Sequence, residues 1–194
     1  MFFSLKNKLK IFVVFCIICI IGVIAVRYYA IPKYLFPLKY ENIIEKYSNE
    51  YDVDKSLVCA MINVESSFDK DALSYRGAKG LMQIMDTTGA WGAEELGIEN
   101  FTPEMLFNPE INIKIGCWYI NKLNKQFEGQ RDTVLSAYNA GSGHVSGWLC
   151  DESYSNDGIT LHSIPFEETS NYVKKVNANI IIYEKLYGIK WINK

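Results

Sequence analysis

Glu65 is the residue of this sequence whose type and position best suit proton transfer. It stands near the end of a predicted helix, and Leu57, Met61 and Glu65 are spaced four apart, so they share one face. On an apolar face near a helix C-terminus, desolvation and the negative end of the helix dipole both disfavour a charged carboxylate. Both effects raise the pKa, which suits a general acid near neutral pH. A solvated glutamate in a fraying last turn is the alternative interpretation, and this helix alone leaves it open.

Two further segments carry groups that suit the recognition of a sugar. Sugar hydroxyl and acetamido groups need directional hydrogen bonds beside a flat apolar surface. Tyr138 and Asn139 supply a phenol and an amide together at the end of a predicted helix. The earlier segment offers glycines for close backbone approach and an amide that both donates and accepts: Ser74, Gly77, Gly80 and Gln83. Each piece alone would also be explained by an ordinary turn, a helix cap or a buried tyrosine.

Helical patterns dominate the chain from residue 41 onward and must position these groups. Caps, prolines and glycines bound seven predicted helices: 41–51, 54–66 with Asp54 as N-cap, 86–97 capped by Asp86 or Thr87, a short one from Thr102-Pro103, 109–127 after Asn108, 132–139 closed by Gly141, and 164–187 before Gly188. Strand patterns are scarce. The sequence therefore predicts a mainly α domain, with at most a small β element around Gly77 and Gly80.

An uninterrupted apolar run, Ile11–Val26, precedes this domain, with three lysines before it and Arg27 after it. A cleaved signal peptide has an apolar stretch of roughly 7–15 residues, and a spanning helix needs about 17 or more. The run lies between these lengths. Because bulky residues and Arg27 follow Ala25, the cleavage signature is poor, and an uncleaved signal anchor is favoured over a removed signal peptide. Either alternative exports the rest of the chain.

Charge and cysteine usage exclude several other functions. The chain from residue 27 onward carries 17 basic and 22 acidic residues without a basic stripe, so no nucleic-acid partner is expected. Its three cysteines are an odd number and form no disulfide framework, although a bridge between Cys59 and Cys117 stays open. Cys59 stands in an apolar helix without a cue to pairing with His144 or His162, which disfavours a cysteine peptidase. No metal-site spacing appears, so no metal or cofactor is expected.

Four blocks of sequence, in order and at compatible spacing, resemble the soluble lytic transglycosylase (SLT) family with its goose-type-lysozyme-like catalytic domain. They are Glu65-Ser66-Ser67-Phe68 with 77–85 (GAKGLMQIM); Leu106-Phe107-Asn108-Pro109 with Asn112, Ile113 and Gly116; 137–141 (AYNAG) with Val145 and Trp148; and 168–173 (ETSNYV). The resemblance covers roughly residues 41–187. Any one block is weak, whereas the ordered set is a specific signal.

The resemblance implies a mainly α, lysozyme-like fold and a lyase that needs no cofactor. Such an enzyme cleaves the β-1,4 bond between N-acetylmuramic acid and N-acetylglucosamine without water, leaving 1,6-anhydromuramic ends. It implies Glu65 as the single catalytic acid/base. It also implies that the glycan groove is lined or supported by Ser74, Gln83, Met85, Tyr138, Asn139 and Glu168. Two positions depart from the family pattern: Asp86 replaces a usual proline, and Ser170 replaces a usual arginine, which removes a charged fork near Glu168.

Two rival functions remain at this point. A hydrolytic muramidase on the same fold would pair Glu65 with a second carboxylate from Asp69, Asp71 or Asp86. A non-catalytic glycan-binding module would bind strands without cutting them. In all three cases peptidoglycan strands are the expected partner.

The expected organisation follows from the anchor and the resemblance together. It is a cytoplasmic N-terminus at 1–10, a single-pass transmembrane signal anchor at 11–26, a linker at 27–40, a catalytic domain at 41–187 on the extracytoplasmic side of the cell membrane, and a C-terminal extension at 188–194.

Overall fold

The apolar run near the N-terminus is helical throughout. The computed structural model describes residues 5–189 of the chain, which separates into two units, Met1–Pro37 and Leu38–Lys194. In the first unit α1 spans Leu5–Ala25, a π-helical turn spans Val26–Ala30 and α2 spans Ile31–Leu35. The stretch Asn7–Leu35 is long and apolar enough to cross a membrane, and its most apolar window is not buried within the protein.

The segment 27–40, expected to be a linker, continues as helix through Leu35. Pro32 lies in the first turn of α2, and because helix precedes it without a break, its missing backbone N–H leaves one position of the hydrogen-bond ladder unfilled. The wider π turn directly precedes this proline. Residues 1–4 of the expected cytoplasmic N-terminus and residues 190–194 of the expected C-terminal extension lie outside the described part of the chain.

The second unit is built of α-helices, most of them joined by short turns, with two longer irregular connections at residues 67–85 and 150–166. Its elements are α3 (Glu41–Glu50), α4 (Lys55–Ser66), α5 (Asp86–Glu95), a 3-10 helix (Pro103–Phe107), α6 (Pro109–Gln126), α7 (Arg131–Ala140), α8 (Ser142–Leu149) and α9 (Glu167–Tyr187). Between residues 5 and 189 the β structure is limited to two isolated bridges, which join Leu73 to Lys79 and Lys79 to Ile84. The prediction of a mainly α domain with at most a small β element is confirmed.

Two local predictions differ from the structure, and one helix has no predicted counterpart. Met85, rather than Asp86 or Thr87, is the N-cap of α5, and Asp86 is its first residue, where its carboxylate accepts from the Lys79 ammonium. Helix α9 begins at Glu167 rather than at the Ile164-Pro165 pair. Helix α8 was not predicted, because its sequence contains Gly143 and Gly147 and has little helix propensity.

Helix α4 occupies the centre of the second unit. Asp54 caps it, since its carboxylate accepts from the backbone N–H of Leu57 at 2.9 Å. The helix is apolar on nearly all sides, and Val58, Cys59 and Ala60 are fully buried. It packs along α9, where an amide–amide hydrogen bond of 2.8 Å joins Asn179 to Asn63. A separate apolar cluster holds α6, α7 and α8 together: Leu123, Phe127, Val134, Ala137, Val145 and Trp148.

Buried Asn112 of α6 fixes the irregular turn that follows α4. Its side-chain oxygen accepts from the Met82 backbone N–H at 2.8 Å, and its amide donates to the carbonyls of Lys79 and Leu106 at 2.9 and 2.8 Å. Gly80 has a φ of +72°, and a Cβ there would collide with the Leu106 carbonyl and the Asn112 amide. The turn therefore has one arrangement against α6, which determines where residues 82–85 lie.

Candidate active site

Glu65 is presented at the last turn of α4 in a fixed position. Ser67, directly after the helix, adopts a left-handed conformation with φ of 53°, which ends the helix there. The Ser66 hydroxyl donates to the Leu81 carbonyl at 2.8 Å and ties the helix end to the following turn. Phe68 is 1% exposed and anchors the chain in the core. These contacts argue against a fraying, freely solvated turn.

The Glu65 side chain lies in a cavity of about 350 Å³ between α4, α7 and α9, which is within the size range of ligand pockets. We call it the Glu65 cavity. It is lined by Val64, Glu65, Asn139, Glu168, Asn171, Tyr172 and Lys175. Burial raises the pKa of Glu65 from 4.5 to about 7, and an interaction with Tyr172 acts in the opposite direction. At neutral pH the carboxyl group is therefore divided between its acid and its conjugate base.

Two phenols accompany this carboxyl group, that of half-buried Tyr138 and that of buried Tyr172. Burial, followed by the negative charge of Glu65, raises the pKa values of Tyr138 and Tyr172 well above 10, so both stay neutral. The Tyr138 hydroxyl donates to the Met82 carbonyl at 2.8 Å. The Tyr172 hydroxyl is buried and meets no partner at hydrogen-bond geometry within the described part of the chain. It nonetheless lies close enough to Glu65 to lower the pKa of that carboxyl group.

A second cavity adjoins the first, because Asn139 lines both. We call it the Gln83 cavity. It is lined by Gln83, Ile84, Met85, Thr88, Tyr119, Tyr138, Asn139, Ala140 and Gly141. The Asn139 side chain is oriented by the Thr169 hydroxyl, which donates to its oxygen at 2.7 Å. The two cavities together form a groove that passes along the C-terminal end of α7.

Gln83 holds its position through an unusual backbone conformation. Its φ is 48°, in the left-handed region that residues other than glycine seldom adopt. Its side-chain amide donates to the carbonyls of Gly80 and Ala72 at 2.9 and 3.2 Å. Strain of this kind persists only where the surroundings impose it, and it is frequent at functional sites. Met85, two residues after Gln83, is 42% exposed and lines the same cavity.

Five of the six expected groove residues line these cavities: Gln83, Met85, Tyr138, Asn139 and Glu168. Ser74, the sixth, lines neither cavity; its hydroxyl accepts from the Ala78 backbone N–H at 2.9 Å and closes the turn. Glu168 is largely exposed and lies 4.0 Å from the Arg76 guanidinium. Ser170 replaces the arginine that is usual near Glu168. Arg76, which belongs to a different segment of the chain, thus supplies a cation to Glu168 instead.

The three aspartates considered as a second carboxylate lie outside both cavities. The Asp69 carboxylate accepts from the Asp71 backbone N–H at 3.0 Å. Asp71 pairs with Lys70 at 2.7 Å, and Asp86 pairs with Lys79. All three are turn or helix-start residues on the surface. Apart from Glu65, Glu168 is the only carboxylate among the described residues that lines either cavity.

Tyr172 is the main site residue that the sequence did not single out. It follows Glu168 by four residues on α9, so the two share a face, and that spacing was a usable signal. Thr88, Tyr119 and Lys175 also line the groove and carried no such signal. Within residues 5–189 no group of His, Cys, Asp and Glu could hold a metal ion. Cys59 and Cys117 are buried and both are free thiols.

Comparison with known proteins identifies a family and several relatives of this chain. The family model described as the transglycosylase SLT domain matches residues 42–159. The soluble lytic murein transglycosylases of Salmonella typhimurium and Escherichia coli strain K12 are each 36% identical over 157 residues, which is 80% of this chain and 24% of those proteins. The chain therefore spans about a quarter of the length of these relatives.

The fold of this chain also resembles solved structures. An inactive variant of the lytic transglycosylase Slt from Pseudomonas aeruginosa matches with a TM-score of 0.72 at 31% identity, and the 70 kDa soluble lytic transglycosylase from Escherichia coli with 0.71 at 34%. Each match covers 80% of this chain and 25% of the solved chain.

Proposed function

The chain belongs to the transglycosylase SLT domain family, and on that premise we propose that it is a peptidoglycan lytic transglycosylase with Glu65 as its single acid/base. The observation that carries the proposal is one partly buried carboxyl group with a pKa of about 7, placed in a groove that suits a glycan strand. A group whose pKa lies near the working pH can give a proton in one step and take one in the next.

The proposed reaction uses Glu65 twice. Protonated Glu65 donates its proton to the glycosidic oxygen between N-acetylmuramic acid and N-acetylglucosamine, and the bond from that oxygen to C1 breaks. The 2-acetamido group of the muramic sugar stabilises the positive charge that develops at C1. The Glu65 carboxylate then takes the proton of the C6 hydroxyl of the same sugar, whose oxygen bonds to C1. No water is consumed, and proximity favours this intramolecular attack.

Tyr172 suits the stage of this reaction at which Glu65 is ionised. Its hydroxyl lies close enough to Glu65 to lower the pKa of that carboxyl group, and it so stabilises the carboxylate that exists between the two proton transfers. Tyr138 and Asn139 contribute a neutral phenol face and an oriented amide to the groove. These are the groups that position a sugar ring and its acetamido substituent.

A hydrolytic muramidase on the same fold is the alternative. It needs a second carboxylate at a fixed separation, to activate water or to act as nucleophile. The three surface aspartates line neither cavity, and Glu168 is largely exposed beside Arg76, which suits a contact to substrate. A module that binds glycan without cleaving it is the other alternative; it would have no use for an acid tuned to neutral pH.

The first unit supplies a location for this activity. We propose that residues 11–26 lie within a signal anchor that keeps the chain in the cell membrane, that residues 27–40 link it to the catalytic domain at 41–187, and that this domain works on the extracytoplasmic side. The apolar helical stretch Asn7–Leu35 and the extracytoplasmic location of peptidoglycan support this arrangement.

Mass spectrometry of peptidoglycan digested by the full chain in detergent tests the activity. We expect 1,6-anhydromuramic ends from the parent, at least about 100-fold fewer from the Glu65→Gln variant, and the same type of end from Glu168→Gln. Reducing ends would identify a hydrolase. Binding of strands by the parent without any cleavage would identify a binding module.

A further inference from the structure

The wall of the Gln83 cavity continues beyond the cavity along α5. Met85, the N-cap of α5, and Thr88 in its first turn line the cavity, and Trp91 lies one turn after Thr88 on the same face of the helix. Trp91 is 44% exposed. An indole exposed to this extent beside a proposed substrate groove has a large apolar surface available to a ligand.

Packing against α6 fixes the Trp91 ring. Its centroid lies 4.8 Å from that of buried Trp118 in an edge-to-face arrangement, and 6.2 Å from that of Tyr119. The Lys122 ammonium lies 5.8 Å from the indole centroid and pairs with Glu95 at 2.9 Å. Gly92 allows the close approach of the two helices, because a Cβ there would come within 2.8 Å of Ile115. The exposed ring is therefore held in place before any ligand arrives.

Aromatic rings connect this position to the centre of the groove. The Tyr119 centroid lies 6.2 Å from that of Trp91 and 5.5 Å from that of Tyr138, and Tyr119 lines the Gln83 cavity. The order along the wall is thus the Glu65 cavity, Asn139, the Gln83 cavity, Tyr119 and Trp91. Polar groups of Thr88, Glu95 and Lys122 flank the rings. A rigid apolar face with hydrogen-bonding groups at its border is what a pyranose ring requires.

We propose that Trp91 and Tyr119 form an outer subsite for a further N-acetylated sugar of the same β-1,4-linked strand, beyond the rings held in the Glu65 and Gln83 cavities. The proposal rests on the proposed function, since it takes the groove to hold a glycan. The subsite favours long strands over short ones, because only a strand that extends past the Gln83 cavity reaches Trp91.

Strand-length dependence of binding tests the subsite. The full chain carrying Glu65→Gln, which does not cleave, is titrated calorimetrically in detergent with peptidoglycan strands of one, two, three and four disaccharides. We expect that adding Trp91→Ala weakens binding of the longest strand about tenfold and leaves the single disaccharide unchanged. Adding Trp91→Tyr should restore binding to within about threefold. Adding Ile181→Ala, at an exposed position of α9, is the control and should change neither.

Equal affinity of Trp91→Ala and its parent for every length would overturn the subsite. An equal loss at every length would do the same, since it would mean that Trp91 acts on the central cavities through packing. Failure of the proposed function would give a different result. The chain with Glu65 intact would then produce no anhydromuramic ends from peptidoglycan, while binding by the Glu65→Gln chain would still depend on strand length.

Discussion

At the scale of single residues, the Tyr172 hydroxyl is the group that most directly tunes Glu65. It opposes the effect of burial by lowering the pKa of the carboxyl group. Catalysis in the proposed first step needs Glu65 protonated, so activity should decline as pH rises through about 7.

Replacing Tyr172 with phenylalanine should move this decline to higher pH. Without the hydroxyl the carboxylate loses a stabilising partner, the pKa of Glu65 rises, and the acid stays protonated over a wider range. The limiting rate should fall about tenfold, because the carboxylate formed between the two proton transfers is less stable. The pH profile of kcat/KM measures both effects. Tyr154→Phe, which lies outside both cavities, should leave the profile in place. A profile shifted to lower pH would contradict the assigned role.

The sequence predicted the environment of Glu65 better than that of Tyr172. Leu57 and Met61 are buried on the face that the spacing indicated, and the pKa of Glu65 is raised as expected. These effects are local to one helix, so periodicity reveals them. The position of Tyr172 depends on how α9 packs on α4, which are more than 90 residues apart along the chain. No local pattern contains that contact.

At the scale of elements, Asn112 connects α6 to the turn that carries Gln83 and to the 3-10 helix. The Asn112→Ala variant should lose about 3 kcal/mol of unfolding free energy, because it leaves the buried Met82 N–H and the Leu106 carbonyl without these partners and removes one of the two hydrogen bonds to the Lys79 carbonyl. Chemical denaturation of the full chain in detergent measures the loss. Asn124→Ala on the same helix, at a partly exposed position, should change stability by less than about 0.5 kcal/mol. Similar losses in the two variants would show that the Asn112 contacts contribute little.

Helices with explicit end signals were predictable, and those formed by packing were not. Asp54 and Asn108 cap α4 and α6 as their side chains indicated. In α8, by contrast, Val145 and Trp148 are buried against α7 while Gly143 and Gly147 contribute no helix propensity. Its conformation is imposed by tertiary contacts, which the sequence does not display locally. The family resemblance, which depends on motifs spread over four blocks, is confirmed by the match to the SLT domain model.

At the scale of the whole molecule, the N-terminal unit should determine where the chain is found. We expect the full-length chain to sediment with membranes, to resist extraction by high salt, and to be released by detergent. Substituting lysine for both Ile18 and Ile21 should release it into the soluble fraction, since each charge costs roughly 2.5–3.5 kcal/mol at the centre of a bilayer. A protease added outside intact cells should degrade residues 41–187. A shortened, soluble chain would instead indicate a cleaved signal peptide, and a protected domain would contradict the orientation.

The raised pKa of Glu65 also links the folding equilibrium to proton concentration. In the unfolded chain this carboxyl group ionises near its ordinary value of 4.5, whereas in the folded chain it ionises near 7. Below pH 4.5 Glu65 is protonated in both the folded and the unfolded chain, so it does not lower the free energy of unfolding. Between pH 4.5 and pH 7 the Glu65 carboxyl group releases its proton only in the unfolded chain, so the free energy of unfolding falls as the pH rises. Above pH 7 the cost levels off at up to about 3 kcal/mol. The protonated form that makes Glu65 a proton donor is thus also the form in which this group does not destabilise the fold, and a rise in pH from 4.5 to about 7 removes the donor and lowers the stability together.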